Sequence, residues 1–217
     1  MIKTVFLALL LLFCVSSNAQ KNIYENDKFD ALSETHQMLA IIPFFTNLDL
    51  KNDISKAELE SLEEKEGYAV QNALETYFSK RKKKKKFSVE FQNTKNTNAI
   101  LAQNNISYKN IDVYTIKQLS EILEVDGIIS GNMDINILLS KGISTDFSFM
   151  DYFSGSANHG RIGVKISDGS TGKLLWKYEK QINKKSGKNT NVLIDRMMKL
   201  AARKFPYDRE KRRDRKK

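Results

Sequence analysis

The residues able to do chemistry are few and scattered along this chain of 217 residues. There are two histidines, His36 and His159, and neither has a ligand partner at helical or turn spacing. The one cysteine, Cys14, lies in an amino-terminal apolar run. A transition-metal site needs several imidazole or thiolate donors in a defined spacing, so none is predicted. No Gly-x-Ser-x-Gly elbow marks a hydrolase nucleophile. Gly172-Lys173 and Gly187-Lys188 lack both the upstream glycine and the following Ser/Thr of a phosphate loop. Asp168-Gly169-Ser170-Thr171-Gly172 has calcium-loop residue types without the ligand spacing, and reads as a hairpin turn. Acid pairs for sugar hydrolysis are defined by separation in space, which sequence does not fix. The sequence therefore predicts a protein that is not an enzyme, with no cofactor and no metal.

Charge is concentrated rather than spread. The chain carries +10 at neutral pH. Lys80, Arg81, Lys82, Lys83, Lys84, Lys85 and Lys86 are seven consecutive cations, and residues 208–217 hold seven more against three acids. Together these runs carry a net of about +11, so the remainder is near neutral. One reading is a solvated loop and a basic disordered tail. The other is a surface for anionic lipid headgroups or cell-wall polymer. Nucleic acid is excluded as a partner because no aromatic in the lysine run offers a stacking platform.

Residues 1–19 read as a signal peptide. Lys3 precedes an apolar run from Val5 to Val15, then small and polar residues lead to a cleavage site between Ala19 and Gln20. The run is shorter than a membrane span. Cys14 could instead be a lipid acceptor, but the bulky Phe13 before it fits that site badly. Cleavage leaves a chain without cysteine, so no disulfide supports the fold and an ordinary core must.

The elements follow from periodicity. After a polar lead-in over 20–37, the apolar run Met38–Phe45 predicts a buried strand that ends or bulges at Pro43. Ser55-Lys56-Ala57-Glu58 is a capping box opening a long helix, with Leu59, Leu62, Ala69, Ala73, Leu74, Tyr77 and Phe78 on one stripe. Gly67 within that stripe suits close packing on a sheet. Phe87–Phe91 alternates as a strand parallel to the first. Thr97 caps a short helix through Ala102, with Asn104 or Asn105 in the left-handed cap. Thr115–Gln118 is a second capping box, and Asp126-Gly127 ends its helix. Ile129, Gly131, Met133, Ile135, Ile137 and Leu139 point one way and Ser130, Asn132, Asp134 and Asn136 the other, giving one core face and one wet face. Residues 161–167 and 174–178 form a hairpin about the Asp168–Gly172 turn. Thr190 or Asn191 caps a last helix that presents Leu193, Ile194, Met197, Ala201 and Phe205 inward. The expected fold is α/β, a single domain over 38–207, with a mixed, mostly five-stranded sheet and helices packed on it.

Residues 141–158 resist a core reading. Phe147, Phe149, Met150, Tyr152 and Phe153 sit among Ser, Gly and Asp. They fit a loop tucked on its own domain, or a partner contact centred on Phe147, Phe149, Tyr152 and Phe153.

Several pieces in order resemble one family: Ile41–Phe44, Gly67–Val70, Thr97–Leu101, Leu119–Gly131 and Val164–Trp176. Residues 38–205 are similar to the periplasmic α/β domain of the curli-secretion-channel family. Related domains occur in peptidoglycan-synthase-activator lipoproteins and at the amino end of the Tol-system translocation protein. The resemblance implies a non-enzymatic envelope protein that binds other proteins. Channel members also carry a lipid anchor and two long amphipathic hairpins. Residues 141–158 have room for at most one cramped hairpin, and the 164–182 hairpin has only a tight turn, which disfavours a pore. The expected function is an exported accessory or scaffold protein that binds an envelope protein partner. It would work in the periplasm, or on the periplasmic face of the outer membrane, of a double-membraned bacterium. The alternative is a peripheral binder of anionic envelope surfaces.

Overall fold

A computed structural model describes residues 23–50, 54–82, 87–136, 158–183, 189–201 and 205–208. The strands are β1 (Ile23–Glu25), β2 (Met38–Ile41), β3 (Phe45–Leu48), β4 (Glu90–Phe91), β5 (Gly127–Ile135), β6 (Asn158–Asp168) and β7 (Leu174–Asn183). The helices are α1 (Phe29–Leu32), α2 (Lys56–Lys82), α3 (Thr94–Gln103), α4 (Ile116–Leu123) and α5 (Thr190–Ala201), with a 3-10 turn at Ile111–Val113.

All seven strands form one mixed sheet in the order β1-β7-β6-β5-β2-β4, with β3 also paired to β5. The pairs β2–β4, β2–β5 and β3–β5 are parallel, and the others are antiparallel. The α/β class expected from the sequence is the fold observed, but with two strands more than five. Pro43 explains one of them. It has no N–H to donate, so β2 stops at Ile41 and the chain resumes as β3 further along the same edge of β5. The other is β1, which lies within the segment read as a polar lead-in and pairs with β7.

Strand alternation sorts the side chains onto two faces. Ile129, Met133 and Ile135 of β5, Ile162, Val164 and Ile166 of β6, and Trp176 and Tyr178 of β7 face one way, into the larger core. The apolar stripes of α2 and α5 close it with Val70, Leu74, Phe78, Leu193, Ile194 and Met197. Among the described residues the opposite face is covered at one end only. There α3 and α4 bring Leu101, Leu119 and Leu123 onto Ala40, Ile42 and Ile128.

The local signals explain most boundaries. The Ser55 hydroxyl accepts from the backbone N–H of Glu58 at the start of α2. Thr115 and Gln118 form the reciprocal capping box of α4. That helix ends at Leu123 with Glu124 in the left-handed conformation, so Asp126-Gly127 begins the strand and does not end the helix. Asn93, not Thr97, caps α3, which starts four residues earlier than expected. Thr97 is buried inside it and donates to Gln92. Asn105 takes the left-handed position after α3. Asn189 accepts from the N–H of Val192 and so caps α5 one residue before the expected Thr190. Only Glu90–Phe91 of the expected Phe87–Phe91 strand joins the ladder, because Phe87 instead bridges to Asp208. A Cβ on Gly67 would stand 2.2 Å from the carbonyl oxygen of Phe44, so a glycine lets α2 approach the chain between β2 and β3.

Candidate functional site

The most concentrated polar chemistry in the described residues is buried. His36 follows α1, Asp168 ends β6, and Tyr207 lies in the short segment after α5. The His36 Nε2 and Asp168 Oδ1 atoms are 2.9 Å apart, and the His36 Nδ1 and Tyr207 hydroxyl are 2.6 Å apart. Exposure is 6% for His36, 1% for Asp168 and 0% for Tyr207. With Asp168 ionised, Nε2–H donates to the carboxylate and Nδ1 accepts the tyrosine hydroxyl proton. The second carboxylate oxygen accepts from the Ser170 hydroxyl, the Thr171 N–H and the Thr171 hydroxyl. Burial pushes the Asp168 carboxyl up, but the hydrogen bonds from Thr171, His36 and Ser170 outweigh it and hold it below the ordinary carboxylate value.

A hydroxyl, an imidazole and a carboxylate in line have the order of a proton relay. Here the hydroxyl cannot meet a substrate. The Tyr207 ring packs edge-on against Phe29 at 5.2 Å and lies beside Phe205. The network therefore works as a strut joining three parts of the chain: the segment before β2, the β6–β7 turn and the segment after α5. An open cleft of about 480 Å³ adjoins it, lined by His36, Asp168, Lys117, Glu121, Asp126 and Ser120 among others. Two of these are already committed. Asp126 accepts the N–H groups of Gln37 and Met38, and Asp168 is saturated as described. Among the described residues no cluster of His, Cys, Asp or Glu could hold a metal ion.

The free margin of β3 is closed by side chains. The N–H of Thr46 donates to the Tyr108 hydroxyl at 2.9 Å, and that of Leu48 to the Glu63 carboxylate at 3.0 Å. No further strand can use these two donors without displacing them.

The uncovered part of the second sheet face is different. Register places three cross-strand rows on it: Ser130, Lys165, Lys177 and Tyr24; Phe45, Asn132, Gly163 and Glu179; Asn47, Asp134, Arg161 and Gln181. Every residue in these rows except the buried Gly163 is exposed or half-buried. Two aromatics mark opposite margins, Tyr24 at 48% exposure and Phe45 at 38%. Glu179 lies 2.6 Å from the Lys177 ammonium. That hydrogen bond, with Lys177, Arg161 and Lys165 as neighbouring cations, holds its carboxyl below the ordinary value against the effect of burial. Phe45 also leans on Tyr108, with ring centres 5.9 Å apart, and Tyr108 on Tyr68 at 6.3 Å.

Of the sites expected from the sequence, Lys80 is exposed at the end of α2, and the Arg81 guanidinium lies 4.9 Å from the centre of the Tyr77 ring. Lys82 ends α2. Lys83, Lys84, Lys85 and Lys86 lie outside the described residues, as do Phe147, Phe149, Tyr152 and Phe153 and the cleavage pair Ala19 and Gln20. His36 has its partners 171 and 132 residues away in sequence, beyond the reach of any spacing rule.

No protein-family model and no curated protein sequence matches the chain. Solved structures do match. A lipoprotein, GNA1162, from Neisseria meningitidis aligns over 76% of this chain and 91% of its own, at 11% identity and a TM-score of 0.42. The LpoB C-terminal domain from Salmonella enterica aligns over 72% and 93%, at 7% identity and a TM-score of 0.34. The LpoB C-terminal domain from Escherichia coli aligns over 72% and 95%, at 8% identity and a TM-score of 0.33. At these scores the likenesses carry no argument about function.

Proposed function

We propose that this chain is an exported, non-enzymatic protein of the bacterial cell envelope that acts by binding a protein partner. The observation that carries the reading is the uncovered sheet face. A protein that needed this face only for stability would cover it, as α3 and α4 cover its other end. Instead it presents a lattice of Arg161, Lys165, Lys177, Glu179 and Asp134 between exposed Tyr24 and Phe45. Arginine and aromatic residues are the types enriched in protein interfaces. Mixed signs suit a partner with its own mixed charges better than a uniformly anionic polymer.

Five strands at about 4.8 Å and four residue steps at about 3.4 Å give a face of roughly 19 by 14 Å between outermost Cα positions. A stable interface needs about 800 Å² per partner, so the contact must extend past this lattice. The aromatic residues Phe147, Phe149, Tyr152 and Phe153, which fall between β5 and β6 in the sequence, are part of the proposed contact. The sequence resemblance over 38–205 and the export tag supply the compartment. The test is a photo-crosslinking amino acid placed at Gln181 on the face, or at Glu121 on the outer side of α4. In envelope extract a discrete product from Gln181 and none from Glu121 supports the reading. No product from Gln181, or the same product from both, overturns it.

A further inference from the structure

The margin of β3 carries a ladder of aromatic rings. Phe45 of β3, Tyr108 of the segment after α3 and Tyr68 of α2 follow one another with ring centres 5.9 and 6.3 Å apart. Phe45 is exposed and the two tyrosines are half-buried. Tyr108 is held at two points. Its hydroxyl accepts the Thr46 N–H at 2.9 Å, and its ring lies over Gly67, 2.8 Å from where a Cβ would stand. Helical spacing places Glu60, Glu64 and Tyr68 on one stripe of α2, with Glu63 beside them. Glu60 is occupied, its carboxylate 3.0 Å from the Lys109 ammonium. Glu63 gives one oxygen to the Leu48 N–H and has no cation partner among the described residues. Glu64 is half-buried, yet among the described residues it has neither a hydrogen bond nor an ion pair. The phenols sense these carboxylates. Burial first, then Glu64, push the Tyr68 hydroxyl above its ordinary value. Burial does the same to Tyr108 against its Thr46 hydrogen bonds, and Glu63 and Glu64 add to the rise.

We infer that this ladder, with Glu63 and Glu64, is the seat of an arginine side chain contributed by the protein partner. The inference rests on the reading of this chain as a partner-binding protein, because Phe45 belongs both to the ladder and to the polar rows of the sheet face. A half-buried carboxylate without a counter-charge is unfavourable, and a bound cation relieves it. The aromatic rings select the same sign, since their negative π faces attract cations. An acidic side chain would meet two like charges here. Arginine suits the seat better than other cations. Its planar guanidinium stacks on a ring while its N–H fork donates to carboxylate oxygens, here those of Glu64 and the second oxygen of Glu63. By strand geometry the carbonyls of Thr46 and Leu48 lie on the same margin as their N–H groups, which places further acceptors beside the fork. A quaternary ammonium has no N–H for any of these acceptors. A lysine ammonium is more strongly hydrated and does not stack. The chain makes the same pairing internally, where the Arg81 guanidinium lies 4.9 Å from the centre of the Tyr77 ring.

The experiment is a heteronuclear NMR titration of the chain from Gln20 onward, which keeps every described element, with three blocked tripeptides: Gly-Arg-Gly, Gly-Lys-Gly and Gly-citrulline-Gly. Citrulline has nearly the shape of arginine and no charge. The arginine peptide is expected to shift the signals of Thr46, Leu48, Tyr68 and Tyr108 together and saturably. It is expected to bind at least about three-fold more tightly than the lysine peptide and about ten-fold more tightly than the citrulline peptide. Glu64→Gln keeps the size of a side chain that makes no hydrogen bond, so the fold is expected to be unchanged. It is expected to weaken arginine binding at least about five-fold and to leave citrulline binding as it was. Tyr68→Leu is expected to weaken arginine binding by a similar factor through the lost π face. No shift at these positions, equal binding of citrulline, or undiminished arginine binding by Glu64→Gln overturns the seat. Tighter binding of the lysine peptide overturns the arginine assignment. The two readings fail separately. A discrete product from Gln181 with no arginine binding overturns the seat and leaves the sheet face standing. Arginine binding at the ladder with no product from Gln181 overturns the face and keeps the seat.

Discussion

Replacing His36 with alanine tests the buried strut. The imidazole gives one hydrogen bond to Asp168 and one to Tyr207, and all three residues are buried. The change removes the imidazole's hydrogen bonds to one carboxylate oxygen and to the tyrosine hydroxyl. Losing the partner of a buried polar group costs about 1–3 kcal/mol, so two such groups cost about 2–6 kcal/mol in all. The Asp168 carboxylate keeps its bonds from Ser170 and Thr171, which places the expected loss at the low end, about 3 kcal/mol. In a domain of this size that is a fall of about 6–12 °C in melting temperature. Urea unfolding of wild type, His36→Ala, Asp168→Asn and the double variant forms a cycle that isolates the pair. A coupling of about 1–3 kcal/mol is expected. The acid limb adds a second signature. The folded carboxyl of Asp168 lies below its unfolded value, so the unfolded chain binds more protons in acid. Its contribution is full above the ordinary carboxylate range and is lost as pH falls through the lowered folded value. Asp168→Asn is therefore expected to flatten the acid side of the stability profile. A loss under about 1 kcal/mol in His36→Ala, with no coupling to Asp168, refutes the strut.

Gly67→Ala places a methyl group 2.2 Å from the Phe44 carbonyl oxygen and 2.8 Å from the Tyr108 ring. Helix propensity gains about 1 kcal/mol, but the clash with backbone dominates and a net loss of about 1–3 kcal/mol is expected in urea unfolding. Tyr108→Phe removes the partner of the Thr46 N–H. It is expected to cost about 1 kcal/mol and, combined with Glu63→Ala, to increase self-association in sedimentation velocity as β3 becomes an open edge. Ultraviolet titration of the tyrosines is expected to show a late component at about pH 12, raised by burial of the Tyr77 hydroxyl, that Tyr77→Phe removes. Because that folded hydroxyl titrates above its unfolded value of about 10, its contribution is full below pH ~10 and is lost as pH rises through the folded value.

Local signals carried the long elements. The alternation from Ile129 to Ile135, the boxes at Ser55 and Thr115, the break at Pro43 and the Asp168–Gly172 turn are all short-range, and each marks the element observed. What escaped depends on distant partners. β1 has three residues, too few to show a period, and exists because β7 offers an edge. β3 alternates, with Thr46 and Leu48 inward, but its four residues merge with the apolar run before Pro43. Phe87 reads as strand by alternation and is drawn away by Asp208 and the Phe78 ring. His36 looked isolated because its partners come from the β6–β7 turn and the far end of the chain. The polar rows on the sheet face were half legible. Alternation gave the wet face of β5, but only the register of β3, β6, β7 and β1 assembles Phe45, Arg161, Lys177 and Tyr24 beside it.

The central claim is that the uncovered sheet face is a contact surface. Charge reversal tests it most directly, with Arg161→Glu and Lys177→Glu combined in a chain that also carries the crosslinker at Gln181. The three side chains are exposed or half-buried, so the melting temperature is expected to move by no more than a few degrees. The account predicts that the crosslinked partner seen from Gln181 is lost in the reversed chain. An undiminished product from the reversed, folded chain would contradict it.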